Sequence, residues 1–172
     1  MSLGQTDRPQ PLRLRPHTGV AAVVSTYHEE LTGGMFESAR ETLLAAGLAE
    51  DRLARIDVPG AYELPVVAQR LAEREDVDAV LCFGLVLKGE TEHDRYIAGA
   101  VADGLMRISL ETRKPVLFGV LTCGTLEQAQ ARARRASAGG LDKGHEVARA
   151  AILALDALER TGGALRGAEA NR

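Results

Sequence analysis

The run Ala79-Val-Leu-Cys-Phe-Gly-Leu-Val-Leu87 passes straight into Lys88-Gly-Glu-Thr-Glu-His93. An unbroken apolar run closed by a polar turn reads as a buried strand. Such strands belong to parallel sheets covered by helices. From His93 to Thr112 the period changes, and Ile97, Val101, Leu105 and Ile108 fall on one helical face. Strand, polar loop and helix therefore follow one another within a single stretch.

The same order recurs on both sides of it. Gly19 to Ser25 is a second apolar run, read as a central strand. Leu31, Met35, Ala39 and Leu43, joined by Phe36 and Leu44, form a helix face that Gly47 ends at a C-cap position. Leu53 to Val58 alternates apolar and polar, which suits a strand nearer an edge. Pro59-Gly60 breaks the chain, and Pro65 suits the first turn of a helix to about Arg74. Downstream, Pro115 to Leu121 reads as a strand and a short helix starts near Leu126. Arg134 to Asp142 reads as a loop and Gly144 to Glu159 as the last helix. This alternation implies an α/β fold, a parallel sheet with helices on both faces. Residues 1–18 are expected to be a flexible arm, 19–160 one domain, and 161–172 a flexible tail.

Composition narrows the class. The chain has 172 residues, enough for one domain with a real core. Aromatics make up 3% and Trp is absent, so Ala, Val, Leu and Ile must build that core. A net charge of −3 argues against a nucleic-acid partner. No apolar run approaches the roughly 20 residues that span a bilayer, and the start lacks the apolar core of a signal peptide. Cys82 and Cys123 form no CxxC pair and stand at no metal-ligand spacing to a His. They read as free thiols in a reducing cytoplasm.

In sheets of this kind ligands bind beyond the carboxyl ends of the strands. Four loops follow such ends: Ser25 to His28, Pro59 to Glu63, Lys88 to His93, and Thr122 to Thr125. His93 opens a helix there, where it is either a proton shuttle or a solvated first-turn residue. Lys88-Gly89-Glu90-Thr91 suits an anion cradle at a helix N-terminus. It has neither the Walker spacing nor GxGxxG. Arg132, Arg134 and Arg135 crowd the end of the short helix, with Lys143 beyond the loop. These cations complement a helix C-terminus or capture phosphate. Tyr27 at a strand end could stack on a flat heterocycle. Glu63 could accept hydrogen bonds from a polyol. Phe118, inside a strand, reads as core.

Four segments in order and spacing resemble the lumazine synthases over about Val20 to Leu155. Pro59-Gly-Ala-Tyr-Glu-Leu-Pro65 is similar to the family's PGAFEIP. Gly84-Leu-Val-Leu-Lys-Gly-Glu-Thr-Glu-His93 is similar to its glycine-to-histidine segment. Pro115-Val-Leu-Phe-Gly-Val-Leu-Thr122 and Glu127-Gln-Ala-Gln-Ala-Arg132 match two more, and Lys143-Gly144 matches the pair that opens the last helix.

The resemblance implies a flavodoxin-like three-layer sandwich around a four-stranded parallel sheet. It implies condensation of 5-amino-6-ribitylaminouracil with 3,4-dihydroxy-2-butanone 4-phosphate to 6,7-dimethyl-8-ribityllumazine, the penultimate step to riboflavin. No metal or redox cofactor is implied. His93 would be the proton shuttle, and Arg132 with Gly89, Glu90 and Thr91 would hold phosphate. Tyr27 would stack on the pyrimidine. Ala61, Tyr62 and Glu63 would hold the ribityl chain, and the Val86 and Leu87 backbone the ring edge. Phe118 and Lys143 would come from a neighbouring subunit of a homopentamer or a higher assembly.

This chain departs from the family after the histidine. In His93-Asp94-Arg95-Tyr96 the acid has moved one place and Arg95 stands in its usual slot. Tyr27 replaces the commoner Phe. The Arg132 to Lys143 loop is longer than in members that build icosahedral shells, which points to a free pentamer. Arg134 and Arg135 are alternative phosphate ligands. Two other activities fit the fold: an archaeal-type riboflavin synthase, and a non-catalytic flavin- or lumazine-binding module.

Overall fold

A computed structural model describes residues 13–163. Four parallel strands form one sheet: β1 (Val20–Ser25), β2 (Leu53–Val58), β3 (Ala79–Leu87) and β4 (Val116–Cys123), in the order β2-β1-β3-β4. Helices α1 (Glu29–Ala45), α2 (Leu64–Ala72), α3 (His93–Thr112), α4 (Leu126–Ala133) and α5 (Lys143–Gly163) connect and follow them. The carboxyl ends of β1 and β3 lie side by side while their connections leave to opposite faces, which opens a crevice there.

The pleat divides the apolar residues between two cores. Ala22, Val24, Leu81, Phe83 and Leu85 pack with Met35, Leu43, Ala129 and Ile152, on the side of α1, α4 and α5. Ala21, Val23, Val80, Cys82 and Val86 pack with Leu64, Ala68, Val101 and Leu105, on the side of α2 and α3. Burying each Leu, Val or Phe side chain here is worth about 1.5–3 kcal/mol relative to exposure. The edge strand β2 does not follow the apolar–polar alternation expected of it: Ile56 is exposed while Arg55 is half-buried, and only Val58 is buried. Gly47, at φ 96°, ends α1 in a left-handed conformation that an L side chain resists. No described helix is long and apolar enough to cross a membrane.

Several sequence expectations are corrected. Thr122 and Cys123 are strand, not loop, because they pair with Val86 and Leu87 of the longer β3. The backbone N–H of Lys88 also donates to the Cys123 carbonyl at 2.9 Å. Phe118 is not core: β4 has a strand on one side only, and the ring is 38% exposed. The last helix starts at Lys143, since Asp142 caps it by accepting from the His145 N–H at 3.2 Å. The same helix runs to Gly163, past the expected end at Glu159, and Thr161 bonds back to the Leu158 carbonyl at 2.6 Å. At the other terminus the expected arm is docked from residue 13 on. Leu14 donates to the Ala46 carbonyl at 2.8 Å and packs on the α1-side core. The rest of the arm, residues 1–12, and the tail 164–172 lie outside the described residues.

Candidate active site

Two cavities of comparable size lie at opposite ends of the sheet. One, of about 450 Å³, surrounds His17, Asp78 and Lys114 at the amino ends of the strands. The other, of about 540 Å³, lies at the carboxyl ends on the α2–α3 side. The second collects many, though not all, of the residues singled out for chemistry. Tyr27 enters from the end of β1, and Ala61, Tyr62 and Glu63 enter from the turn before α2. Val86 and Leu87 come from the end of β3, Gly89 and Thr91 from the loop beyond it, and His93 from the first position of α3.

Backbone bonds set this arrangement. Thr26 donates to the Val58 carbonyl at 2.8 Å and Tyr27 to the Pro59 carbonyl at 3.2 Å, which ties the two loops together. The buried Thr32 hydroxyl donates to the Ser25 carbonyl at 2.7 Å. His28 turns the chain into α1 with φ 60°, a left-handed conformation unusual for a residue other than glycine. Its ring meets Tyr27 edge-on, with centroids 4.4 Å apart. Tyr27 stays 65% exposed, so one aromatic face is open to a flat ligand. Tyr62, 63% exposed, stands across the same cleft. Glu63 is half-buried, with a carboxylate oxygen 3.1 Å from where a side chain at Gly60 would begin. No side chain caps the N-terminus of α3, which follows directly on the Gly89–Thr91 loop.

Four cleft residues were absent from the sequence list: Gly60, Leu85, Asp94 and Ile97. Ile97 lies four residues after His93 and Leu85 two before Leu87, so helix and strand periods pointed to both. Asp94 is half-buried at the cleft, whereas Arg95 is exposed and lines a separate hollow with Tyr96 and Asp103. The moved acid thus shares the cavity with the histidine, and the arginine does not.

Glu90, Phe118, Arg132 and Lys143 do not line this cleft. Glu90 is exposed on the loop between two residues that do. Arg132 is on α4, which packs Ala129 and Ala133 into the opposite core. Burial raises the pKa of the Cys123 thiol, and the nearby Arg132 guanidinium opposes that rise. Lys143 opens α5 and pairs with Glu146 at 2.7 Å. Arg135 is taken up by both oxygens of Glu41, at 2.6 and 3.0 Å. Arg132 and Arg134 have no ion-pair partner among the described residues. Both cysteines are free and buried, and burial pushes the Cys82 thiol well up. No group of three His, Cys, Asp or Glu suited to a metal occurs among the described residues.

A family described as 6,7-dimethyl-8-ribityllumazine synthase matches residues 17–159. A protein of that name from Thermus thermophilus is 46% identical over 114 residues, 66% of this chain and 73% of the relative. One from Salinibacter ruber is 44% identical over 132 residues, 77% of this chain and 83% of the relative. One from Cytophaga hutchinsonii is 42% identical over 139 residues, 81% and 84%.

Proposed function

This chain belongs to the 6,7-dimethyl-8-ribityllumazine synthase family, and on that premise we propose how its carboxyl-end cleft performs the synthase reaction. The enzyme condenses 5-amino-6-ribitylaminouracil with 3,4-dihydroxy-2-butanone 4-phosphate, releasing phosphate and water. One observation carries the assignment of the site. A histidine, an open aromatic face, a carboxylate and an uncapped helix N-terminus converge on one cavity.

The pyrimidine stacks on Tyr27, and its edge meets the backbone of Val86 and Leu87 at the end of β3. The ribityl hydroxyls donate to Glu63 beside Ala61 and Tyr62. The butanone phosphate sits on the Gly89–Glu90–Thr91 loop. The pyrimidine amine attacks the ketone and an imine forms with loss of water. Phosphate is then eliminated, and ring closure by the ribitylamino nitrogen loses a second water. His93 carries protons between these steps. An imidazole titrates near neutrality and so can both take and return a proton. Holding two substrates face to face supplies most of the rest.

Phe118, Arg132 and Lys143 serve the cleft of a neighbouring copy in a homopentamer. Their position away from their own cleft supports this, as does the exposure of Met106, Leu110 and Leu141 at 61%, 72% and 68%. Arg132 is the phosphate ligand rather than Arg135, whose guanidinium is already occupied by Glu41. The two free thiols suit the cytoplasm.

Turnover with both substrates, followed by product fluorescence, tests the reading. Steady turnover that collapses in His93→Ala supports it. Tight binding of lumazine without turnover would make the cleft a binding module.

A further inference from the structure

On the far side of the sheet from the cleft, three residues of α1 fall on one stripe: Ser38, Glu41 and Thr42. Ser38 and Glu41 hold the segment between α4 and α5, and Thr42 holds the first turn of α5. The buried Ser38 hydroxyl donates to Asp142, both oxygens of Glu41 accept from Arg135, and the Thr42 hydroxyl lies 2.8 Å from Nδ1 of His145. The segment also closes on itself. Leu141 donates to the Ala131 carbonyl and Asp142 to the Arg134 carbonyl, both at 3.0 Å. These bonds tie residues flanking Arg132 to residues flanking Lys143. Gly144 then presses on α1 so closely that an added side chain would begin 2.0 Å from the Met35 carbonyl oxygen.

Asp142 is the centre of this contact. Its carboxylate accepts from the Ser38 hydroxyl and from the N–H groups of Ala136 and His145, the last two at 3.2 Å. It adopts φ 51°, a conformation that costs energy for any residue with a side chain. A glycine would carry that turn without strain but could accept none of the three bonds. Arg132 and Lys143 are long, flexible side chains at helix ends, and ordering them costs conformational entropy. A backbone frame fixed to α1 lowers the part of that cost that arises from motion of the helix ends.

We infer that Asp142 is a positioning residue: anchored on Ser38, it holds Arg132 and Lys143 as one cationic edge that meets the phosphate-bearing substrate. The inference rests on the reading that Lys143 serves the reaction, and the test separates the two. The full chain is compared with Asp142→Gly, Asp142→Asn, Ser38→Ala, Lys143→Met and the Asp142→Gly, Lys143→Met double variant. Assembly size is checked for each, and KM is measured for both substrates. Asp142→Gly is expected to raise KM for the butanone phosphate about ten-fold while KM for the pyrimidine stays within about two-fold. Asp142→Asn, which tolerates the same backbone turn and keeps an acceptor, restores most of the loss. Ser38→Ala moves the same KM in the same direction by less. In the double variant, Asp142→Gly adds less to Lys143→Met than it costs alone, the remainder acting through Arg132.

Should Lys143→Met raise KM for the phosphate substrate while Asp142→Gly and Ser38→Ala leave it alone, the inference is overturned and the reading of Lys143 stands. Equal loss toward both substrates, or additive effects in the double variant, also overturns it, since Asp142 would then act on stability or independently. If Lys143→Met itself has no effect, the reading of Lys143 fails and the positioning role falls with it.

Discussion

On the α2–α3 side of the sheet, Tyr27, Tyr62 and His93 reach into the cleft without a side-chain hydrogen bond or ion pair among the described residues. On the α1–α5 side, Ser38, Glu41, Thr42, Arg135, Asp142 and His145 are all engaged with one another. The contrast follows from what each region is built on. Cleft side chains leave rigid strand ends and a helix start that backbone bonds already hold, so their polar atoms stay available to a ligand. The loop between α4 and α5 has no strand to fix it, so side-chain bonds to α1 add to its own backbone bonds. On the proposed reading, the free polar groups of the cleft do the chemistry and the satisfied groups around Asp142 make a frame.

Substitutions can break or sharpen this contrast. The largest effect belongs to the cleft: His93→Ala should lower kcat by about 10²- to 10⁴-fold with an unchanged melting temperature, because the ring is exposed. A loss of melting temperature matching the loss of rate would mean the side chain is structural after all. The frame should answer in the opposite way. Gly144→Ala drives a methyl against the Met35 carbonyl and should destabilise the chain by about 1–3 kcal/mol, measured by urea unfolding. An unaffected midpoint would show that α1 and α5 are less tightly pressed together than the structure has them.

Tyr27→Ala removes the open ring and should raise KM for the pyrimidine several-fold, while Tyr27→Phe leaves it nearly unchanged. If the phosphate substrate responded instead, the two halves of the cleft would have to be exchanged. The smallest effect is on acidity. Burial pushes the Asp142 carboxyl up, but bonds from Ser38, Ala136 and His145 outweigh it and hold the group below its ordinary range. A lowered folded value contributes stability that is complete above the unfolded value, near 3.9. That stability is lost as pH falls through the folded value. Protection of the Ala136 and His145 amides against hydrogen exchange, relative to their intrinsic rates, should therefore fall below about pH 4 before that of the β3 amides. Simultaneous loss would mean that the loop and the sheet open as one unit.

What could be read in advance depended on local signal. β3 and the start of α3 were legible because an uncharged run, a polar turn and a helical period share no alternative reading. The placement of Tyr27, Glu63 and His93 in the cleft was legible because each follows a strand end, and motif order added Ala61. Ile97 and Leu85 were within reach of simple periodicity. The last two residues of β4 were not, since Thr122 and Cys123 become strand only by pairing with Val86 and Leu87. Nor was the exposure of Phe118, which depends on β4 being an edge.

The amino-acid sequence by itself determined the fold class, most of the strand-end loops and the family. Each of these depends on hydrophobic period or motif spacing, which are properties of neighbouring residues. Only the tertiary structure decided that Asp94 rather than Arg95 shares the cleft with His93, that Arg135 is occupied by Glu41, and that Asp142 anchors on Ser38. Ser38 and Asp142 are 104 residues apart. They meet because the sheet and the α1–α5 contact bring distant segments together, and no local pattern encodes that proximity.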